Sequence, residues 1–404
     1  MKTSTRIALL LIAIILIPMM VKLQMSIDPD RQQFQPGRSA GTMMTDVNNN
    51  PVVLPTQFVV GTLIGFREVI AGLLWVRVND FFHTGNYEAI VPLTRIITWL
   101  DPHQIDVYCT GAWHLAYNFV DSQQRADYRY LAPAIKFLEE GTQNNLGIWD
   151  TEFDLGFVLY RLKAYDYEKS LYWIKKADSE KNVPDRIDRQ VAHAYELNGQ
   201  VDKCIAQWQK CVDQSQAELK RNPNDLRARD HYDISKRNMD ERVARKLART
   251  DLSSHRTDVK LEAELVRVGP RQFIIKGTAN LPDYSKIDIM LTDADYKEPN
   301  MKNFNWQLDP NSTIVADIGM HGITVEDGKF ERQYNLSKDI KQYPFMKDRY
   351  VLSLTFDPRS AVYFVQDTTG WNGEGITDKK YLDTSIPGLR RIRKVINLSK
   401  KDLI

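Results

Sequence analysis

Cysteine is scarce in this chain, with only Cys109, Cys204 and Cys211 among 404 residues. No C-x-x-C pair occurs, so a thiol-based zinc site or redox motif is excluded. Cys204 and Cys211 fall seven apart on one predicted helix, roughly 10 Å along its axis. That is too far for a disulfide within an intact helix, and both read as small apolar residues at helix contacts. An excess of one charge is lacking as well. The 54 basic and 52 acidic residues leave +2 overall, too little for the electrostatic footprint of a nucleic-acid binder. HExxH, GxSxG, a GxGxxG after a strand and a phosphate loop are all missing. The seven histidines are scattered, and His83, His103 and His114 lack metal-ligand spacing. These absences argue against an enzyme and against any cofactor or metal.

Long apolar runs are confined to the first part of the chain. A short basic stretch with Lys2 and Arg6 precedes residues 7–21, IALLLIAIILIPMMV, and Lys22 follows. Extended by its neighbours, this run is long enough for a membrane span, and no small-x-small cleavage site follows it. It is read as an uncleaved signal anchor over residues 1–25, with a cleaved signal peptide as the rival reading. The basic residues ahead of it place the amino terminus in the cytoplasm and the bulk of the chain outside. Residues 26–55 are polar and rich in Pro, Gly and Asn, the composition of a tether. The apolar stretch 52–78 carries Arg67-Glu68 at its middle, which argues against a second span.

Between residues 56 and 250 the apolar period is helical. The clearest segment is 185–211, DRIDRQVAHAYELNGQVDKCIAQWQKC. It predicts two amphipathic helices joined at Asn198-Gly199, with Ala192, Cys204 and Cys211 at the crossings and Tyr195 and Trp208 as bulk between them. Weaker copies hold Leu74, Phe81, Gly85 and Tyr87; then Gly111-Ala112-Trp113, Tyr117, Ala134, Leu138 and Gly141; then Leu155-Gly156, Tyr160, Tyr167, Ser170, Ile174 and Ala177. Small residues let two backbones approach while aromatics fill the layers. This spacing resembles the tetratricopeptide repeat (TPR) family over roughly residues 70–215. The resemblance implies a helical solenoid and protein or peptide binding in the groove lined by the first helix of each hairpin. The exposed polar positions expected there are Arg77, Asp80, His114, Asn118, Arg161 and His193. The mixed-charge stretch 227–246 reads as a solvent-exposed capping helix.

Near Asp258 the period changes from helical to two. Residues 259–265, 273–277, 287–291, 312–318, 322–325, 330–334 and 350–356 read as short strands, with a hairpin signal at Asp327-Gly328. About seven such strands argue for a β-sandwich over residues 256–378. In architecture alone it resembles an immunoglobulin- or fibronectin-type domain, without the paired cysteines. The stretch 357–378 combines Asp367, Trp371, Glu374 and Asp378 with three glycines. Two readings stand: a ligand loop for an ion or sugar with Trp371 as a stacking face, or a long loop folded over the sandwich edge and pinned by Trp371. Its spacing fits neither an EF-hand nor a phosphate loop. Residues 379–404, rich in Arg and Lys, read as a basic tail that either meets anionic lipid or packs on its own domain.

The sequence thus predicts an α + β multidomain chain: an N-terminal transmembrane helix, a TPR-like α-solenoid and a C-terminal β-sandwich. The expected function is a non-catalytic scaffold or adaptor on the outer face of a bacterial cytoplasmic membrane, single-pass, binding partner proteins and no nucleic acid. The alternatives are a structural subunit of a larger envelope complex or filament, and a glycan- or ion-binding envelope module.

Overall fold

The computed structural model describes residues 67–118, 126–248, 258–302, 304, 306, 313–319, 322–340 and 342–404. The anchor expected at 1–25 and the tether expected at 26–55 lie outside the described residues. Among those described, no helix is long and apolar enough to cross a membrane. The chain divides into two compact units. The division runs through the helical region expected at 56–250, not between helices and sandwich.

The first unit comprises the described residues within Met1–Leu115, Ala132–Thr151 and Pro299–Leu308. Helix α1 (Arg67–Thr84) turns at Gly85 and packs on α2 (Ile90–Leu100). Ala71, Val78, Ile90, Ile97, Leu100 and Val107 form their shared core. Val78 and Ile97, large for a repeat crossing, are fully buried there. Helix α3 (Ile105–Trp113) meets α4 (Leu131–Asn144) where Gly141 makes room for a ring: a Cβ there would sit 2.7 Å from Tyr108 Cγ. On the same unit Arg95 pairs with Glu140 at 2.8 Å and lies over the Trp306 ring at 4.4 Å.

The second unit joins Ala116–Leu131, Glu152–Glu298 and Asp309–Ile404. The second unit enters at Glu152 within helix α5 (Trp149–Asp154), which loosens into π-helical turns over Leu155–Arg161. Then follow α6 (Tyr167–Asp178), α7 (Arg186–Leu197), α8 (Val201–Arg221) and α9 (Leu226–Ala248). Gly156 sets the closest crossing: a Cβ there would lie 2.9 Å from both Cγ1 and the backbone nitrogen of Ile174. Ala192, Cys204, Cys211 and Trp208 form a buried cluster between α7 and α8, backed by Tyr195 and Met239. Asn198, at the turn, donates to the carbonyls of Tyr167 and Ala194 at 2.7 and 2.8 Å, tying one hairpin to the next. The expectation of an exposed capping helix is only partly met: α9 is polar, yet Arg242 is 1% exposed.

Two antiparallel sheets complete this unit. One is β1 (Leu261–Gly269), β2 (Gln272–Ala279) and β6 (Lys329–Asn335), in the order β1-β2-β6. The other runs β4-β3-β7-β9-β8, with β5 also paired to β3. Its strands are β3 (Lys286–Asp293), β4 (Val315–Asp317), β5 (Ile323–Thr324), β7 (Arg349–Phe356), β8 (Leu382–Asp383) and β9 (Arg391–Ser399). Phe273, Ile275 and Phe330 of the first sheet and Ile289, Leu291 and Leu352 of the second share one core. A correction falls on residues 379–404. They are not a tail: β9 pairs with β7 from Arg349↔Ser399 to Phe356↔Ile392. Ile392, Ile396 and Leu398 point to the core while Arg393, Val395 and Asn397 between them point out, so the strand period was present beneath the basic composition. A capping box at Ser399 and Asp402 then opens α11 (Lys400–Leu403), which carries Leu403 into the core. One short helix, α10 (Tyr363–Thr369), precedes β8.

Candidate functional site

Of the six polar residues expected to line a groove, His114 and Asn118 are buried rather than exposed. Arg77 and Asp80 are exposed on α1 and face each other at 3.4 Å. His114 is buried, with its ring 4.6 Å from that of Phe82, and burial lowers its pKa to about 4. Asn118 is also buried. Arg161 donates to Gln190 at 2.7 Å and lies over Phe157 at 5.0 Å; burial lowers its pKa. His193 stands edge-on to Trp208, 5.1 Å between ring centres, and 3.7 Å from the Glu196 carboxylate. Sequence periodicity placed these side chains on first helices but could not tell an outward position from one covered by the next hairpin.

The candidate ligand loop is a brace. Trp371 is 3% exposed and lies beneath the Arg245 guanidinium at 4.6 Å, so it offers no open stacking face. Asp367 pairs with Arg245 at 2.8 Å. Arg242 reaches Glu196 at 3.1 Å and also donates to the Tyr363 hydroxyl. Burial alone would raise the Glu196 carboxyl, but the hydrogen bond from His193 and the charge of Arg242 hold it below its usual value. Glu374 accepts from the Asn372 N–H at 2.9 Å, and buried Asp378 accepts from the Lys380 N–H at 2.6 Å. The four loop residues therefore do not converge on a common point. Among the described residues no group of three His, Cys, Asp or Glu side chains could hold a metal ion.

A different set of residues does converge. A cleft of about 500 Å³ in the second unit is lined by side chains of both its helical and its sheet parts. Strand pairing builds its floor. In β3, Ile287, Ile289 and Leu291 are fully buried in the core, which turns Asp288 and Met290 to the opposite face. Met290 lies opposite Asp317 of β4, and Asp288 opposite Thr355 of β7. Asp357 follows β7 and is buried, accepting from the Arg359 N–H at 2.9 Å.

Three tyrosines line the other side. Tyr128 is fixed by backbone pairing: its N–H donates to the Val315 carbonyl at 2.8 Å, and the Asp317 N–H donates to Ala126 at 2.9 Å. The bidentate pair between Asp127 and Arg129 stiffens this segment. Tyr165 adopts the left-handed backbone region, φ 54°, unusual for a bulky residue and a place to look for function. Next to it, Asp166 caps α6 by accepting from the Lys169 N–H at 3.1 Å, which fixes Tyr167 at the first helical position.

The electrostatics of the cleft are unbalanced. Burial, then the charges of Asp317 and Asp357, push the Asp288 carboxyl up to about 7. Burial likewise raises Asp357, against the N–H of Arg359 and the charge of Arg391. Tyr165 is pushed up to about 12 by burial and by Asp288 and Asp317, with a hydrogen bond to Tyr128 opposing. Tyr167 is raised further, by burial and then by Asp357. Arg391 pairs with Asp383 at 2.6 Å and also lies 3.9 Å from the Asp357 carboxylate, and Arg359 donates to Asn372 at 2.9 Å. None of the cleft residues was singled out from the sequence as a site. The available signals were the run Tyr165-Asp166-Tyr167 at a turn and an acid at the outward position of an apolar strand.

No family model matches the chain, and no curated protein matches it. Among solved structures, it is similar to YrrB, described as a TPR protein with an unusual peptide-binding site. The alignment covers 41% of this chain and 76% of that one, at 14% identity and a TM-score of 0.26. The reading of the helical region rests on its own geometry.

Proposed function

We propose that this protein is a non-catalytic scaffold or adaptor whose helical hairpins bind a partner protein. In the same proposal, the apolar segment at 7–21 anchors the chain in a bacterial cytoplasmic membrane with its bulk on the outer face. The observation that carries the reading is the hairpin packing of the second unit. Gly156 sits against Ile174 and the Ala192–Cys204–Cys211 cluster around Trp208, the small-against-large pattern that lets helices stack and present a continuous surface. Tyr172 on α6 is 62% exposed beside Trp173, a large aromatic of the kind enriched at protein interfaces.

The test is crosslinking and affinity purification of the full chain from membranes, comparing wild type with Gly156→Leu. A partner retained by wild type and lost by the variant supports the adaptor. A partner held at one fixed ratio under all conditions points instead to a structural subunit. Recovery of no protein partner from wild type overturns both. Extraction of the chain by alkaline carbonate would remove the membrane anchor from the proposal.

A further inference from the structure

We propose that the outer edge of β6 takes up an extended segment of a partner protein as an added antiparallel strand, with a basic residue of that segment set against Glu331. The turn at Asp327-Gly328 creates this edge. Glu326 and Lys329 exchange both main-chain bonds across it, at 2.8 and 2.9 Å. Beyond that pair the strands part: Ile323 and Thr324 of β5 pair with Ile287 and Lys286 of β3 in the other sheet, while β6 runs on against β2 as the last strand of its own. Residues bonded to one side alternate along an antiparallel strand. Lys329 directs its N–H and C=O away from β2, so Glu331 and Gln333 do the same. Among the described residues nothing bonds to these four groups. Both residues are exposed, and residues of β5 and β6 line a groove of about 980 Å³. Free N–H and C=O groups repeating every second residue are matched by another extended backbone.

Charge selects the segment. On the outer face of the sheet Glu264 of β1, Lys276 of β2 and Glu331 of β6 stand in one cross-strand row. Lys276 pairs with Glu264 at 3.2 Å, and no described side chain forms an ion pair with Glu331. A basic residue in the next strand continues the alternation of sign. In the neighbouring row Val266, 36% exposed, and Ile274 lead to Gln333, which favours a β-branched residue two positions before the base. A second copy of this chain fits less well. In the antiparallel registers that the turn leaves open, it sets Glu331, Gln333 or Asn335 against Glu331, never a base. The central register also places Arg332 opposite itself, and like charges there repel. The inference is independent of the hairpin reading, because it uses a different surface and a short peptide tests it.

The probes are the labelled peptide Thr-Val-Thr-Val-Lys-Val-Thr, its counterpart with Glu for Lys, and the Lys peptide methylated on the backbone nitrogen of its lysine. Fluorescence anisotropy with the full chain should show the Lys peptide binding about fivefold or more tightly than the Glu peptide, and about tenfold or more tightly than the methylated one. Glu331→Lys should reverse the order of the first two. Gln333→Pro removes an N–H that does not bond to β2 and should weaken the Lys peptide about tenfold. By hydrogen exchange, the amides of Glu331 and Gln333 should exchange quickly in the free chain and slowly with the Lys peptide bound. Absence of binding, equal affinity for the methylated peptide, or slow exchange of both amides in the free chain overturns the proposal. A dimer of the free chain that Gln333→Pro dissolves assigns the edge to a second copy and overturns it too. The exchange measurement on wild type decides the matter even if both variants fail to fold.

Discussion

The second unit has two places where helix meets sheet-domain loops, and they are built on opposite principles. At the brace, opposite charges face each other: Arg242 with Glu196, and Arg245 with Asp367 and the faces of Tyr363 and Trp371. At the cleft, like charges share one wall: Asp288, Asp317 and Asp357, with Arg391 3.9 Å from Asp357. Both regions are polar, so polarity alone does not distinguish structure from site. The difference is the balance of charge. Opposite charges held together fix geometry, whereas like charges held together raise one another's pKa.

The sharpest way to break this comparison is Arg242→Ala. It leaves the Glu196 carboxylate buried without its closest cation and should cost about 3–5 kcal/mol in urea unfolding. A cost under about 1 kcal/mol would show that the brace is not matched in the sense argued. The next effect has the opposite sense. A carboxyl whose folded pKa lies above its unfolded one holds its proton more tightly in the folded state. Stability is then full below about 4 and falls as pH rises toward about 7. The groups around Asp288 are Asp317 and Asp357, which oppose its charge, Lys286 and Arg391, which favour it, and the three tyrosines. Subtracting the pH–stability curve of Asp288→Asn from that of wild type should expose a loss of up to about 4 kcal/mol across that window. A flat difference would place Asp288 in open water. Smallest is Gly156→Leu, expected to cost about 1–3 kcal/mol by overfilling the crossing with α6. It should leave the titration of Asp288 unchanged, since Gly156 does not line the cleft.

Much of the fold was legible in the sequence because its signals are local. Small-against-large spacing announced the crossing at Gly156 and the Ala192–Trp208 cluster, and period-two runs announced most strands. Composition misled at β9, where Arg391, Arg393 and Lys394 hid an alternating strand. The cleft was not legible, because nothing local brings Tyr128, Tyr165, Asp288 and Asp357 together. Their meeting depends on which strands pair and on where α6 begins. Trp371 with its acidic neighbours looked like a ligand loop for the converse reason: aromatics and carboxylates close in sequence were turned toward Arg245, whose position the sequence does not give.

The buried thiols have a practical consequence. Burial pushes both Cys204 and Cys211 up to about 12, so almost none of either is thiolate at neutral pH and neither meets solvent. Cys109, in the other unit, is partly exposed. A maleimide dye or spin label should therefore mark the native chain at one position without prior mutagenesis. On intact cells, a membrane-impermeant reagent of that kind would test the proposed placement of the chain on the outer face of a membrane.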